Sequence, residues 1–201
     1  YMCLDATLSS TLKPLTSSNV TGSEVLVKLK SQSTKLDNIH GLDKLDLLIL
    51  DNKFDLTPTF EYGARIIEQC LAVEVKVAFV NSHHGQMSFE SISAALGSFG
   101  FVFHCFNQIE YKESVSHDIH PFIASTKMVS AKALFIPCRE KLHAFNAVKN
   151  EKLAFIMHAI YGMHDVAIEL LQAYSHDRAQ AYANDIASTY KNLKSATFKF
   201  L

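Results

Sequence analysis

The sequence predicts a two-part chain of α/β class, in which a five-stranded parallel, doubly wound sheet is followed by a small all-helical module. Three observations lead there. Short apolar or β-branched runs alternate with stretches of helical apolar spacing as far as Phe106. From about Arg139 the apolar residues recur by threes and fours instead. No internal repeat, low-complexity tract or linker rich in Pro and Gly interrupts either part.

The strand candidates are Tyr1–Leu4, Glu24–Leu29, Leu45–Leu50, Val73–Val80 and Phe101–Phe106, each long enough for a buried strand and too short for a helix. Helical spacing lies between them: Leu8, Leu12 and Leu15; a short piece with Leu36 and Ile39; Phe60, Ala64, Ile67 and Leu71; then Phe89, Ile92, Ala95 and Leu96. The third helix is expected to start at Thr57 as N-cap, with Pro58 in its first turn and Glu61 near the positive end of its dipole. Gly97 and Gly100 close the fourth. Strict alternation of this kind calls for right-handed crossovers and helices on both faces of the sheet, with ligand chemistry at the carboxyl ends of the strands. Ala131–Cys138 contains Ala-Leu-Phe-Ile before Pro137 and reads as a sixth strand or a buried connector. In the C-terminal part, Leu142, Phe145, Leu153, Ile156, Ile160 and Met163 form one helical series that Gly162 breaks. Val166, Leu170, Leu171 and Tyr174 follow, with Asp165 placed to cap them, and Tyr182, Ile186, Tyr190 and Leu193 mark a third helix. The expected boundaries are 1–125 for the α/β domain, 126–138 for the connector or extra strand, and 139–201 for the helical module.

Composition narrows the function. The chain has 201 residues, 48% of them apolar, and a net charge of −1, which excludes a disordered or collagenous chain. No apolar run approaches the ~18 residues of a membrane helix, and the N-terminus lacks the pattern of a signal peptide, so a cytoplasmic protein without a membrane partner is expected. Cys3, Cys70, Cys105 and Cys138 are far apart, which argues against a disulfide framework or a cysteine zinc site. His83-His84 and His117-x-x-His120 lack a supporting ligand framework, so no metal is expected. No Gly-x-Gly-x-x-Gly, P-loop or Gly-x-Ser-x-Gly string occurs, and a kinase or hydrolase has no starting residue set. Residues 139–201 carry 8 basic and 6 acidic side chains, against 11 and 14 in 1–138.

Asp5 ends the first strand candidate, Asp51 in Leu-Leu-Ile-Leu-Asp the third and Ser82 in Ala-Phe-Val-Asn-Ser the fourth, and His104 lies in the fifth, at intervals of 46, 31 and 22 residues. In this the first 120 residues or so resemble a response-regulator receiver domain of flavodoxin-like fold. The resemblance implies a phospho-acceptor position at Asp51 and a pocket of Asp5, Ser82 and His104. It places one acid where receivers carry two, and His104 and Cys105 where they carry Lys and Pro. A neutral imidazole lacks the fixed charge that pairs with a phosphoryl oxygen. A non-phosphorylated pseudo-receiver is therefore expected, with no cofactor, Mg²⁺ entering only if the pocket works. The alternative local reading is that Asp51 caps its turn and Ser82 bonds backbone.

Ile156-Met157, Gly162, Ala167, Leu171 and Ile186-Ala187 occur in the order of the ANTAR output domain, which the helical module resembles. A receiver joined to such a module is similar to the amide- and nitrate-responsive transcription antiterminators. That resemblance implies a non-enzymatic regulator, acting as a homodimer under a sensor or inhibitor protein, that binds structured leader RNA. Lys149, Lys152, Arg178, Lys191 and Lys194 for phosphates and Tyr161 for stacking are the candidate contacts. Two other readings remain open: an interaction and dimerisation module that binds no nucleic acid, and a response regulator phosphorylated on Asp51.

Overall fold

The computed structural model describes residues 1–15, 22–42, 44–112 and 125–197, the side chains of 192–197 excepted. The chain divides into two compact units, Tyr1–Cys138 and Arg139–Leu201.

The first unit is mixed α/β. Strands β1 (Met2–Cys3) and β2 (Val25–Val27) pair only with each other, antiparallel, with Met2 opposite Val27 and Cys3 opposite Val25. The main sheet has four strands in the order β3 (Leu47–Asp51), β4 (Ala72–Ala78), β6 (Met128–Pro137), β5 (Phe101–Tyr111). β3 and β4 are parallel, and β6 runs antiparallel to both β4 and β5. Among the described residues, then, the five parallel strands expected from the alternation are replaced by three strands of one direction with a reversed strand between two of them. Two physical causes are evident. All three residues of β2 are exposed, so this run has no buried face to place in a central position. Ala131, Ala133, Leu134 and Phe135 of β6 are buried, as a central position demands, and 10 residues of β6 meet a β5 that continues through Tyr111. A reversed strand makes that long ladder without a parallel crossover of its own.

Helices α1 (Thr57–Tyr62) and α2 (Ala64–Gln69) connect β3 to β4, and α3 (Phe89–Ser98) connects β4 to β5. Pro58 lies in the first turn of α1 as its fixed φ favours. The cap position falls on Leu56, one residue earlier than expected and without a side-chain cap, while the Asp55 carboxylate accepts from the Thr57 N–H at 3.0 Å. The single helix expected across Gly63 is two, with Gly63 at φ −121° ending α1 and starting α2; a Cβ there would lie 2.4 Å from the Thr59 carbonyl oxygen and 3.2 Å from Leu36 Cβ. Ser88 caps α3, and Gly100, at φ 76°, turns the chain into β5. Helical spacing at Leu8–Leu15 and at Leu36 yields only single 3₁₀ turns, Ala6–Leu8 and Leu36–Asn38. The Ser10 hydroxyl accepts from the Leu12 N–H at 2.9 Å, a local bond that competes with helix, and Pro14 follows. The core joins Phe60, Ile66 and Ile67 to Val73, Val75, Val77, Ile92, Leu96, Phe101 and Phe135.

The second unit is helical: α4 (Arg139–His143), α5 (Ala147–Ala159), α6 (His164–Gln172) and α7 (His176–Thr197). Asn146 caps α5 by accepting from the Lys149 N–H at 3.0 Å. Gly162, at φ 66°, turns the chain, and the Met163 N–H closes the turn on the Met157 carbonyl at 2.8 Å. Asp165 lies in the first turn of α6, where the dipole favours it, but Met163 holds the cap position and no side chain caps it. α5 packs on α6 and α6 on α7; Leu153, Met157, Val166, Ala167, Leu170 and Ala179 are buried. No helix among the described residues is long and apolar enough to cross a membrane.

Candidate functional site

Parallel pairing of β3 with β4 brings their carboxyl ends side by side, where Asp51 lies opposite Lys76. Asn52 extends the ladder past the last residue of β3. The residue is 2% exposed, and with its amide assigned in the orientation that satisfies both ends, its nitrogen donates to the Lys76 carbonyl at 3.0 Å and its oxygen accepts from the Ala78 N–H at 3.1 Å. The Asp51 carboxylate accepts from the Lys53 N–H at 3.0 Å, forming an Asx turn. Lys53 is held in turn by its Nζ on the Thr7 carbonyl at 3.0 Å and by the Ser10 hydroxyl on its own carbonyl.

Beyond β4, Ser82 and His83 both donate their backbone N–H to the Gln86 side-chain oxygen, at 2.7 and 3.0 Å. Leu15 and His84 bond this turn to residues 13–15 at 2.9 and 2.8 Å. Ser82 Oγ lies 2.9 Å from His83 Nδ1. His83 is 5% exposed, and burial pushes its imidazole below the usual histidine range, against a partial offset from the Leu8 carbonyl. The ring is therefore neutral at pH 7. Lys76 meets Glu110 of β5 at 3.1 Å, and the Ser130 hydroxyl of β6 donates to the same carboxylate. The Ser130 hydroxyl first, and Lys76 second, hold the Glu110 carboxyl below its ordinary value.

Asp51, Lys53, Lys76, Ser82, His83 and Gln86 thus line one cleft of about 410 Å³, together with Asn52, Thr7, Glu110 and Ser130. Of the four residues singled out as a receiver pocket, the fold brings Asp51 and Ser82 into this cleft. Asp5 is not among its walls. Its carboxylate is taken up by the Thr7 N–H and hydroxyl at 2.9 and 2.7 Å, which hold it below the usual aspartate range. His104 is exposed on β5, at the register break between Phe103 opposite Phe135 and Cys105 opposite Leu134. No group of three His, Cys, Asp or Glu side chains suited to a metal converges among the described residues. His117 and His120 lie outside them. All four cysteines are free thiols, Cys3 and Cys70 buried and the other two half-buried. The cleft residues that the pattern of strand ends does not indicate include Lys53, Lys76, His83 and Gln86. Two of these lie in Ser-His-His-Gly-Gln, a turn string whose fold could have been read from Gly85, here at φ 76°.

In the helical unit, Lys149 is exposed, with its Nζ 5.1 Å from the centroid of the Phe145 ring. Arg178 of α7 pairs with Glu151 of α5 and donates to the Tyr174 hydroxyl at 2.8 Å. Lys191 is exposed but 13 residues further along α7, about 20 Å by helical rise. Tyr161 is half-buried, and the side chain of Lys194 falls outside the described residues. No family model, characterised relative or solved structure matches the chain.

Proposed function

We propose that this chain is a non-enzymatic cytoplasmic regulator, in which the receiver-like unit is controlled by a partner or small polar ligand and the helical unit binds structured RNA as a transcription antiterminator does. The observation that carries this reading is the composition of the cleft. It holds the two receiver-like residues Asp51 and Ser82 with two ammonium groups and a neutral imidazole, yet the carboxylate nearest in kind, Glu110, is engaged by Lys76 and Ser130. Mg²⁺ bound for phosphoryl transfer needs neighbouring carboxylates with free oxygens. A cleft of this kind favours recognition of a polar or anionic group over phosphorylation at Asp51. The resemblance to ANTAR modules supplies the output, with Lys149 and Lys152 on α5 and Arg178, paired with Glu151 of the same helix, as its contact residues. Receiver outputs switch by changing association, so the working form is a homodimer or a complex with a sensor or inhibitor protein.

The test is crosslinking and sequencing of RNA bound to the full chain in its native cell, with a Lys149→Ala, Lys152→Ala double variant as control. Enrichment of short leader hairpins that the variant loses supports the reading. Incubation with a small phosphodonor and Mg²⁺ should leave Asp51 unmodified, and a label lost in Asp51→Asn would instead establish a phosphorylated response regulator.

A second reading has its own observation. Val148 and Phe155, 58% and 66% exposed, lie seven residues apart on one face of α5. An exposed apolar face fits a protein-docking and dimerisation module that binds no nucleic acid. Co-purification of a stable protein partner without RNA would favour it.

A further inference from the structure

Three side chains from three helices converge in the helical unit, and hydrogen bonding alone does not account for their arrangement. His158 lies near the end of α5, His164 opens α6, and Tyr182 lies in α7. His158 Nδ1 and His164 Nδ1 are 3.2 Å apart, and the Tyr182 hydroxyl oxygen lies 2.9 Å from the first and 3.0 Å from the second. An imidazole Nδ1 offers one in-plane site, either a proton or a lone pair, while the hydroxyl has one proton and two lone pairs. The two nitrogens therefore supply one bond each, and only two of the three close edges form linear hydrogen bonds. One Nδ1 then carries its proton toward the hydroxyl and the other accepts from it, so no proton is left for the edge between the two nitrogens.

A cation resolves this, because it accepts one lone pair from each of the three atoms at once. Ligands about 2.0–2.1 Å from a metal stand about 2.9 Å apart at right angles and about 3.4 Å apart at tetrahedral angles. The three observed edges lie within that interval. All three residues are half-buried, which leaves the remaining coordination positions open to water. The geometry points to a metal site formed by His158 Nδ1, His164 Nδ1 and Tyr182 Oη, taking a borderline first-row divalent ion such as Zn²⁺. Two imidazole nitrogens select such an ion over Mg²⁺ or Ca²⁺, which take oxygen ligands. On binding, the phenol releases its proton to solvent, driven by the charge of the metal.

The site ties together α5, α6 and α7, in a helical unit small enough for a metal staple to add materially to its stability. It also braces the two helices that carry Lys149, Lys152 and Arg178. It stands independently of RNA binding, since the convergence of donors exists whatever the unit contacts. The spacing hid it: His158 and His164 are six residues apart across the Gly162 turn, and the third donor is a tyrosine 18 residues further on.

The test is calorimetric titration of the full chain with Zn²⁺, alongside Tyr182→Phe, which keeps the ring and removes the donor, and His164→Gln. One equivalent should bind the wild type, and each variant should bind at least tenfold more weakly while its metal-free far-UV circular dichroism stays unchanged. Zn²⁺ should raise the melting temperature of the wild type and not that of Tyr182→Phe. Co²⁺ in place of Zn²⁺ should give a ligand-field spectrum without thiolate charge transfer. The inference is overturned if no Zn²⁺ binds below about 100 µM, if Tyr182→Phe binds as tightly as the wild type, or if Co²⁺ reports a cysteine ligand.

Discussion

Replacing Asn52 by alanine removes the side chain that prolongs the β3–β4 ladder and forms part of the cleft wall. In the native chain its amide oxygen takes the Ala78 N–H at 3.1 Å, and its amide nitrogen serves the Lys76 carbonyl at 3.0 Å. The two ends differ in cost. The Lys76 carbonyl keeps a second donor, the Asn52 backbone N–H at 3.2 Å, so losing the side-chain bond there costs an ordinary net hydrogen bond, about 0.5–1.5 kcal/mol. At the other end Ala78 N–H loses its side-chain acceptor at a site where Asn52 is 2% exposed, which costs about 1–3 kcal/mol. Together, Asn52→Ala should lower stability by about 2–4 kcal/mol. Urea denaturation followed by far-UV circular dichroism measures it, and amide exchange at Ala78 should accelerate selectively. Asn52→Asp should be at least as damaging at pH 7, since a carboxylate oxygen then faces the Lys76 carbonyl. Burial raises the folded-state pKa of that new acid above its unfolded value, so its penalty should shrink as pH falls through the folded value and the protonated oxygen begins to donate. A loss below about 0.5 kcal/mol in Asn52→Ala, or unchanged exchange at Ala78, would refute the assignment.

Three further outcomes are expected. Leu96→Ala, at a position 0% exposed in the core, should cost about 3–5 kcal/mol by urea denaturation. Gly63→Ala should destabilise by more than about 1 kcal/mol, because the new methyl meets the rigid Thr59 carbonyl and not a movable side chain; an unchanged melting temperature would show that α1 and α2 yield freely. Glu110, held below its ordinary value by the Ser130 hydroxyl and Lys76, contributes stability above the unfolded carboxylate pKa that is lost as pH falls through the folded value. Its side chain is 57% exposed, so Glu110→Gln should cost less than about 1 kcal/mol at pH 7, and the difference from the wild type should shrink as pH falls through the folded value in paired denaturation curves.

The strands and helices that surround the core were legible because burial writes its period into the sequence. All five strand candidates contain strands, of which Leu47–Asp51, Ala72–Ala78 and the start of Phe101–Tyr111 join the main sheet, and Phe89–Ser98 matches its helix with its Gly100 stop. What the pattern did not contain was pairing. Nothing in Ala-Leu-Phe-Ile before Pro137 says whether the run lies beside β4 or outside the sheet, since that choice is made by ladders with residues far earlier in the chain, Phe106 and Val75 opposite Ala133 among them. Glu24–Leu29 has the β-branched character of a strand but lacks anything to bury, and composition alone does not separate the two cases. For the site, strand-end logic found Asp51 and Ser82. It missed Lys53 and Lys76, whose place in the cleft depends on cross-strand neighbours, and it included His104, which a register break turns to solvent. In the helical unit the sequence offers the cationic residues as one set, yet helical rise separates Lys191 from Arg178 by about 20 Å.

The most direct test of the regulator reading is the salt dependence of hairpin RNA binding by the purified full chain, measured by fluorescence anisotropy. The account predicts that log K falls linearly with log salt, and that Lys149→Ala with Lys152→Ala weakens binding and lowers the slope by up to about 1 per lysine on a phosphate, while Lys191→Ala has the smaller effect. Absence of RNA binding at low salt, or a slope indifferent to Lys149 and Lys152, would contradict it.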